Sequence, residues 1–207
     1  MDKPKTAVVL LHEIYGINNH ILSIYNKFRN EGYDTYCIDL LNGKTFNYDK
    51  AEEAYSYFMN EIGFENAKLK VLNYISANLR NYDKVFLLGY SIGVTAAWLC
   101  SEEKGLVSGV IGYYGSRVRD YLNVEPEVPV LFFFPSKERG FEISPLIDKL
   151  KNKEKVWVYQ FEGLHGFADS YSEYYDYKSK YLSEKILDEF ITCRTNKWIS
   201  KNIEVKK

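Results

Sequence analysis

Two apolar patterns alternate along the chain. Continuous runs rich in β-branched residues suit strands buried on both faces, and residues 6–12, TAVVLLH, form the first of them. Between such runs the apolar residues recur at helical spacing. Ile17, Ile21, Ile24 and Phe28 make one stripe, and Gly32 stands where that helix would end. Residues 33–40 read as a second strand, followed by a loop holding Asn42 and Gly43. Residues 49–80 carry helical spacing with a break near Gly63. Residues 84–90, KVFLLGY, form a third strand, and the following helix is expected to run to a cap at Gly105. Residues 107–115 and 128–135 give the fourth and fifth strands. A short helix follows with Pro145 in its first turn. The sixth strand spans 156–161, and a last helix aligns Leu182, Ile186, Phe190 and Cys193.

Strand and helix alternate throughout, which predicts an α/β fold with a mostly parallel central sheet and helices on both faces. With 207 residues, no internal repeat and no linker, the chain reads as a single domain over 1–207.

Composition narrows the function classes. The formal net charge of −1 gives no reason to expect nucleic acid or an anionic membrane as a partner. The basic stretch at the C-terminus reads as a solvated tail. Cys37, Cys100 and Cys193 are odd in number and far apart, without metal-ligand spacing, so they read as reduced thiols of a cytoplasmic protein. Cys37 and Cys100 sit in apolar contexts and are expected in the core. The N-terminus lacks a secretion-signal pattern, and no stretch is long and apolar enough to span a membrane. No metal or other cofactor is implied.

The candidate chemistry begins at residues 87–97, LLGYSIGVTAA. Here Gly89-Tyr90-Ser91-Ile92-Gly93 joins a predicted strand to a predicted helix. Gly-x-Ser-x-Gly in that setting is a nucleophile elbow, which pushes the serine into a strained conformation at the carboxyl edge of the sheet. Side chains at positions 89 and 93 would collide with the neighbouring elements. The next N–H, of Ile92, faces the site, and the helix N-terminus adds partial positive charge.

A serine needs a base, and the base needs an orienting acid. The chain has three histidines. His20 is placed at an exposed position of the first helix, and His12 ends the first strand. His165, in EGLHGFAD, lies in a loop after the sixth strand, at the same edge as Ser91. The acid is expected between serine and histidine in chain order. Glu138, just past the fifth strand, is the first candidate, with Asp120 and Asp148 as rivals.

These segments together resemble the dienelactone hydrolases of the α/β-hydrolase superfamily. LLHEIYGIN at 10–18, LLGYSIGV at the elbow, VIGYYG at the end of the fourth strand and GLHGFAD around the histidine occur in the family's order. The resemblance implies a compact α/β-hydrolase fold without a large lid, beginning at what corresponds to that fold's third strand. It implies Ser91 as nucleophile, His165 as base, Glu138 at the acid position and an oxyanion hole from the N–H groups of Ile92 and Ile14. Glu13 matches the family's glutamate beside the nucleophile. Tyr90 and Tyr114 are expected with it around the substrate pocket.

Three positions depart from the family pattern. Ser91 replaces cysteine, as in serine members that act as general esterases. Glu138 replaces aspartate. Ala51 stands near the place of the arginine that holds the substrate carboxylate, and Lys50 beside it offers only a point charge. The expected substrate is therefore a small neutral ester, thioester or lactone, cleaved through an acyl-enzyme. Two other readings stand beside it: an acyltransferase, which shares the acyl-enzyme, and a ligand-binding homologue without efficient chemistry.

Overall fold

The computed structural model describes residues 5–192; Cys193 and the basic C-terminal stretch lie outside them. Six strands form one all-parallel sheet: β1 (Thr6–Leu11), β2 (Asp34–Ile38), β3 (Lys84–Tyr90), β4 (Gly109–Tyr113), β5 (Val130–Pro135) and β6 (Val156–Phe161). Their spatial order is β2-β1-β3-β4-β5-β6. The chain moves outward from β1 to β2, then crosses back to β3 on the other side. The carboxyl ends of β1 and β3 therefore flank the switch point, where parallel sheets open a crevice.

Alternate side chains of each strand serve two cores. Val9, Leu11, Leu87, Phe132 and Phe134 face one, covered by α3 (Gly63–Asn78), α4 (Ile92–Cys100) and α5 (Ser144–Lys151). Val8, Leu10, Phe86, Leu88 and Phe133 face the other, covered by α1 (Asn19–Asn30) and α6 (Tyr177–Thr192). Helix α1 is capped at both ends. Asn18 accepts from the Ile21 N–H, and Gly32, at φ +89°, closes a Schellman turn in which Tyr33 N–H donates to the Phe28 carbonyl.

The predicted break near Gly63 is present. Helix α2 (Ala51–Tyr57) passes through a π-turn at Phe58–Ile62, and Gly63, at φ +73°, reopens the chain into α3. Helix α4 ends at Cys100, five residues before the expected cap. The Ser101 hydroxyl donates back to the Trp98 carbonyl, and the Ser101 carbonyl is taken by the Glu127 N–H, so the helix cannot propagate. Gly105, at φ +87°, lies in the turn beyond. Cys100 is buried, whereas Cys37 is only half-buried, because β2 is an edge strand. Among the described residues no helix is long and apolar enough to cross a membrane.

Candidate active site

Strand register brings the site together. Leu11 pairs with Gly89, and Tyr90 pairs with Tyr113, so β1, β3 and β4 end side by side. Residues 12–16, Ser91 and Tyr114 emerge at this common edge. Ser91 takes φ +51°, in the left-handed region that a non-glycine residue rarely occupies. Its N–H is held by the Tyr113 carbonyl at 3.0 Å.

The elbow glycines answer to specific neighbours. A Cβ on Gly89 would come within 2.5 Å of the Gly93 carbonyl oxygen, and one on Gly93 within 2.2 Å of the Leu11 carbonyl oxygen. The elbow is thus wedged against the end of β1 as well as against its own helix.

Two further loops complete the constellation. After β5, the Ser136 N–H donates to the Gly163 carbonyl and its hydroxyl to the Glu162 carbonyl, joining the loops of Glu138 and His165. After β6, the histidine loop turns on Gly166, at φ +94°, and is pinned by the fully buried Phe167, whose ring contacts Tyr113 and Tyr114.

The outcome is a hydrogen-bonded series. Ser91 Oγ lies 3.1 Å from His165 Nε2, and His165 Nδ1 lies 2.8 and 3.0 Å from the two oxygens of Glu138. The Glu138 side chain is 5% exposed, while the imidazole remains open to solvent at 37%. Burial alone would lower the His165 pKa; the hydrogen bond and charge of Glu138, with the more distant Glu13, outweigh it and raise it above the ordinary value. The rival acids lie elsewhere. Asp120 pairs with Arg117 and Arg119, and Asp148 sits on α5.

The loop after β1 holds the other expected residues. Among the described residues, neither the Ile14 nor the Ile92 N–H has an acceptor. His12, fully buried, fixes this loop: its Nδ1–H donates to the Glu13 carbonyl at 2.6 Å, and its Nε2 accepts from the Leu40 N–H at 2.8 Å. Glu13 is buried and accepts from the Tyr114 hydroxyl at 2.8 Å. Burial, reinforced by the charge of Asp169, pushes its carboxyl up to about 7, against the opposing pull of His165 and Tyr114. The Tyr114 ring rests 4.9 Å from the His165 ring.

Tyr90, expected at the pocket, is placed in the core instead. It stacks on Tyr113 at 5.0 Å and meets His20 edge-on at 4.8 Å, supporting the elbow from beneath the sheet. His20, expected to be exposed, is fully buried. Its neighbour there is Asp169, also fully buried, which sequence reasoning did not single out. Among the described residues no group of three or more His, Cys, Asp or Glu could hold a metal ion.

Comparison with known proteins agrees with this architecture. The profile of the Dienelactone hydrolase family matches residues 1–192. The uncharacterized protein YczH of Bacillus subtilis (strain 168) is 38% identical over 176 residues, spanning 84% of this chain and 86% of its own. A carboxymethylenebutenolidase of Pseudomonas putida is 28% identical over 196 residues, covering 83% of this chain and 79% of its own. The solved structure of a candidate dienelactone hydrolase from Klebsiella pneumoniae superposes with a TM-score of 0.75, covering 93% of this chain and 89% of that one. At 16% identity, that last likeness speaks for the fold alone.

Proposed function

The chain belongs to the dienelactone hydrolase family, and on that premise we propose that it cleaves a small neutral ester through an acyl-enzyme on Ser91. That it is a hydrolase acting on ester bonds follows from the family; the nucleophile, the intermediate and the substrate class are inferred from the site. The observation that carries the reading is the series Ser91–His165–Glu138, every link of which lies within hydrogen-bonding distance.

In this mechanism His165 Nε2 takes the Ser91 proton as Oγ bonds to the substrate carbonyl carbon. Glu138 holds the Nδ1–H tautomer and stabilises the imidazolium. The negative charge moves to the carbonyl oxygen, where the N–H groups of Ile14 and Ile92 receive it; loss of one such donor in a comparable site costs about 3–4 kcal/mol. The carbon–oxygen bond to the alcohol then breaks, and His165 returns the proton to the leaving oxygen. Water, deprotonated by the same imidazole, attacks the acyl carbon and releases the acid and the free serine.

The neutral character of the substrate rests on the charges around the site. Glu13 and Asp169 are buried carboxyls on this edge, and Ala51 provides no guanidinium. Arg117 and Arg119 are engaged by Asp120. A substrate carboxylate placed beside these two carboxyls would meet the Asp169 charge and, in part, that of Glu13, without a guanidinium at position 51 to hold it. The free thiols Cys37 and Cys100 support a reducing compartment, the cytoplasm.

The test is a pair of 4-nitrophenyl esters, one neutral and one bearing a carboxylate on the acyl chain, assayed with wild type and Ser91→Ala. The reading expects turnover of the neutral ester by wild type alone. Preference for the anionic ester would refute the substrate class, and full activity in Ser91→Ala would refute the nucleophile.

A further inference from the structure

Asp169 stands four residues after His165 and is fully buried, and its side-chain hydrogen bonds go to neither Ser91 nor Glu138. Its Oδ2 accepts a hydrogen bond from the Tyr48 hydroxyl, and its Oδ1 accepts from the Tyr171 N–H at 2.8 Å. Tyr48 lies 121 residues away, in the 3₁₀ turn that precedes α2. Its hydroxyl also accepts from the Asn18 side chain at 3.1 Å, and Asn18 is the N-cap of α1. The Tyr48 ring packs on Tyr15 at 4.6 Å, and the Tyr15 carbonyl takes the Phe46 N–H. One hydroxyl–carboxylate contact therefore joins three loops: the one after β1 that carries Ile14, the one after β2, and the one after β6 that carries His165.

Among the described residues no lysine or arginine forms a salt bridge with this carboxylate. His20 Nδ1 is 3.5 Å from Oδ1 without a hydrogen bond, and burial lowers the His20 pKa to about 4, leaving the ring neutral. The Asp169 carboxylate is held at contact distance by the Tyr48 and Tyr171 hydrogen bonds, with Lys180 acting on it only at longer range, which makes the Tyr48 hydroxyl expensive to lose.

We infer that Asp169 and Tyr48 are positioning residues that clamp the histidine loop against the oxyanion loop, so that His165 Nε2, which serves Ser91 Oγ and the leaving oxygen, and the Ile14 N–H, which faces the carbonyl oxygen, hold fixed positions around one ester group. The inference rests on the reading of His165 as the base. It follows from the geometry of the edge: the histidine loop hangs beyond the sheet, Phe167 and Ala168 pack it into the core, and Asp169 adds a polar tie through Tyr48 and Asn18 to the β1 side. Displacing such a loop by an ångström costs up to about a hundredfold in rate.

The test uses Tyr48→Phe, which removes one hydroxyl from a partly exposed ring, with Asp169→Ala and Asp169→Asn. Asparagine retains the shape, with an amide able to bridge the Tyr48 oxygen and the Tyr171 N–H. Two quantities are read: amide hydrogen exchange of residues 164–169, and kcat and KM separately on a neutral ester. In Tyr48→Phe and Asp169→Ala, exchange at positions 167 and 169 is expected to rise about tenfold, and kcat to fall about tenfold with KM little changed. Asp169→Asn should recover most of both losses. Wild-type exchange in Tyr48→Phe overturns the clamp, as does a raised KM at unchanged kcat, which would put Tyr48 on the substrate. Should Asp169→Ala not fold, Tyr48→Phe decides alone. If the wild type turns over no ester, the serine-hydrolase reading fails by itself, and the exchange result still decides the clamp.

Discussion

Glu138 meets His165 Nδ1 with both carboxylate oxygens, at 2.8 and 3.0 Å. An aspartate at this position would sit one methylene shorter. The glutamate reaches because Ser136 ties its loop to Glu162 and Gly163, and because a bridge between Glu138 and Phe141 closes the turn at Gly140. Glu138→Gln keeps the shape but can donate to Nδ1 and favour the wrong tautomer. Its kcat is expected to fall at least about tenfold. Asp120→Asn, away from the histidine, should leave kcat unchanged; the opposite ranking would transfer the acid role to Asp120.

The pH dependence follows from the histidine. As the base, His165 must be neutral, so kcat/KM is lost as pH falls through its pKa, and that pKa lies above the ordinary 6.5. Glu13 contributes to the rise when ionised. Glu13→Gln removes that charge, and the acid limb of the kcat/KM profile is expected to move to lower pH. A limb that stays in place, or moves up, would show that Glu13 exerts no field on the base.

His20 gives a stability prediction with a definite sign. Its folded pKa of about 4 lies below the unfolded value of 6.5. The unfolded chain therefore takes up a proton first, and native stability is present above pH 6.5 and lost as pH falls toward 4. The full loss is about 3 kcal/mol. Denaturant melts of His20→Gln and wild type, compared at each pH, should show this component in wild type only. The difference matters because Glu13 titrates in the opposite sense. Parallel stability curves would show that the buried ring titrates normally.

Gly93 provides a packing prediction. Its would-be Cβ meets the backbone carbonyl of Leu11, which β1 holds in place. Gly93→Ala is expected to destabilise the protein by about 1–3 kcal/mol or more, and to lower activity by displacing the Ile92 N–H. A thermal melt equal to wild type would mean that the elbow and β1 are less tightly joined than the distance implies.

Much of this was legible in the chain because it is written locally. All six strands, the turn at Ser91 between β3 and α4, the loop of His165 and the place of Glu138 past β5 follow from short runs and from the order of Ser91, Glu138 and His165. The first helix was legible too, but His20 was misplaced. Positions 20, 24 and 28 share one face with Ile21, and a histidine on that stripe can face either way until its neighbours are known. The end of α4 depends on Glu127 reaching the Ser101 carbonyl, a contact between distant segments. Asp169 and Tyr48 were not legible, since a hydrogen bond across 121 residues leaves no spacing to read.

The central claim is that Ser91 is an activated nucleophile. Intact mass after incubation with a fluorophosphonate addresses it directly, on wild type and on Ser91→Ala. One adduct on wild type and none on Ser91→Ala is the expected result. No adduct on folded wild type, or an equal adduct on both proteins, would contradict it.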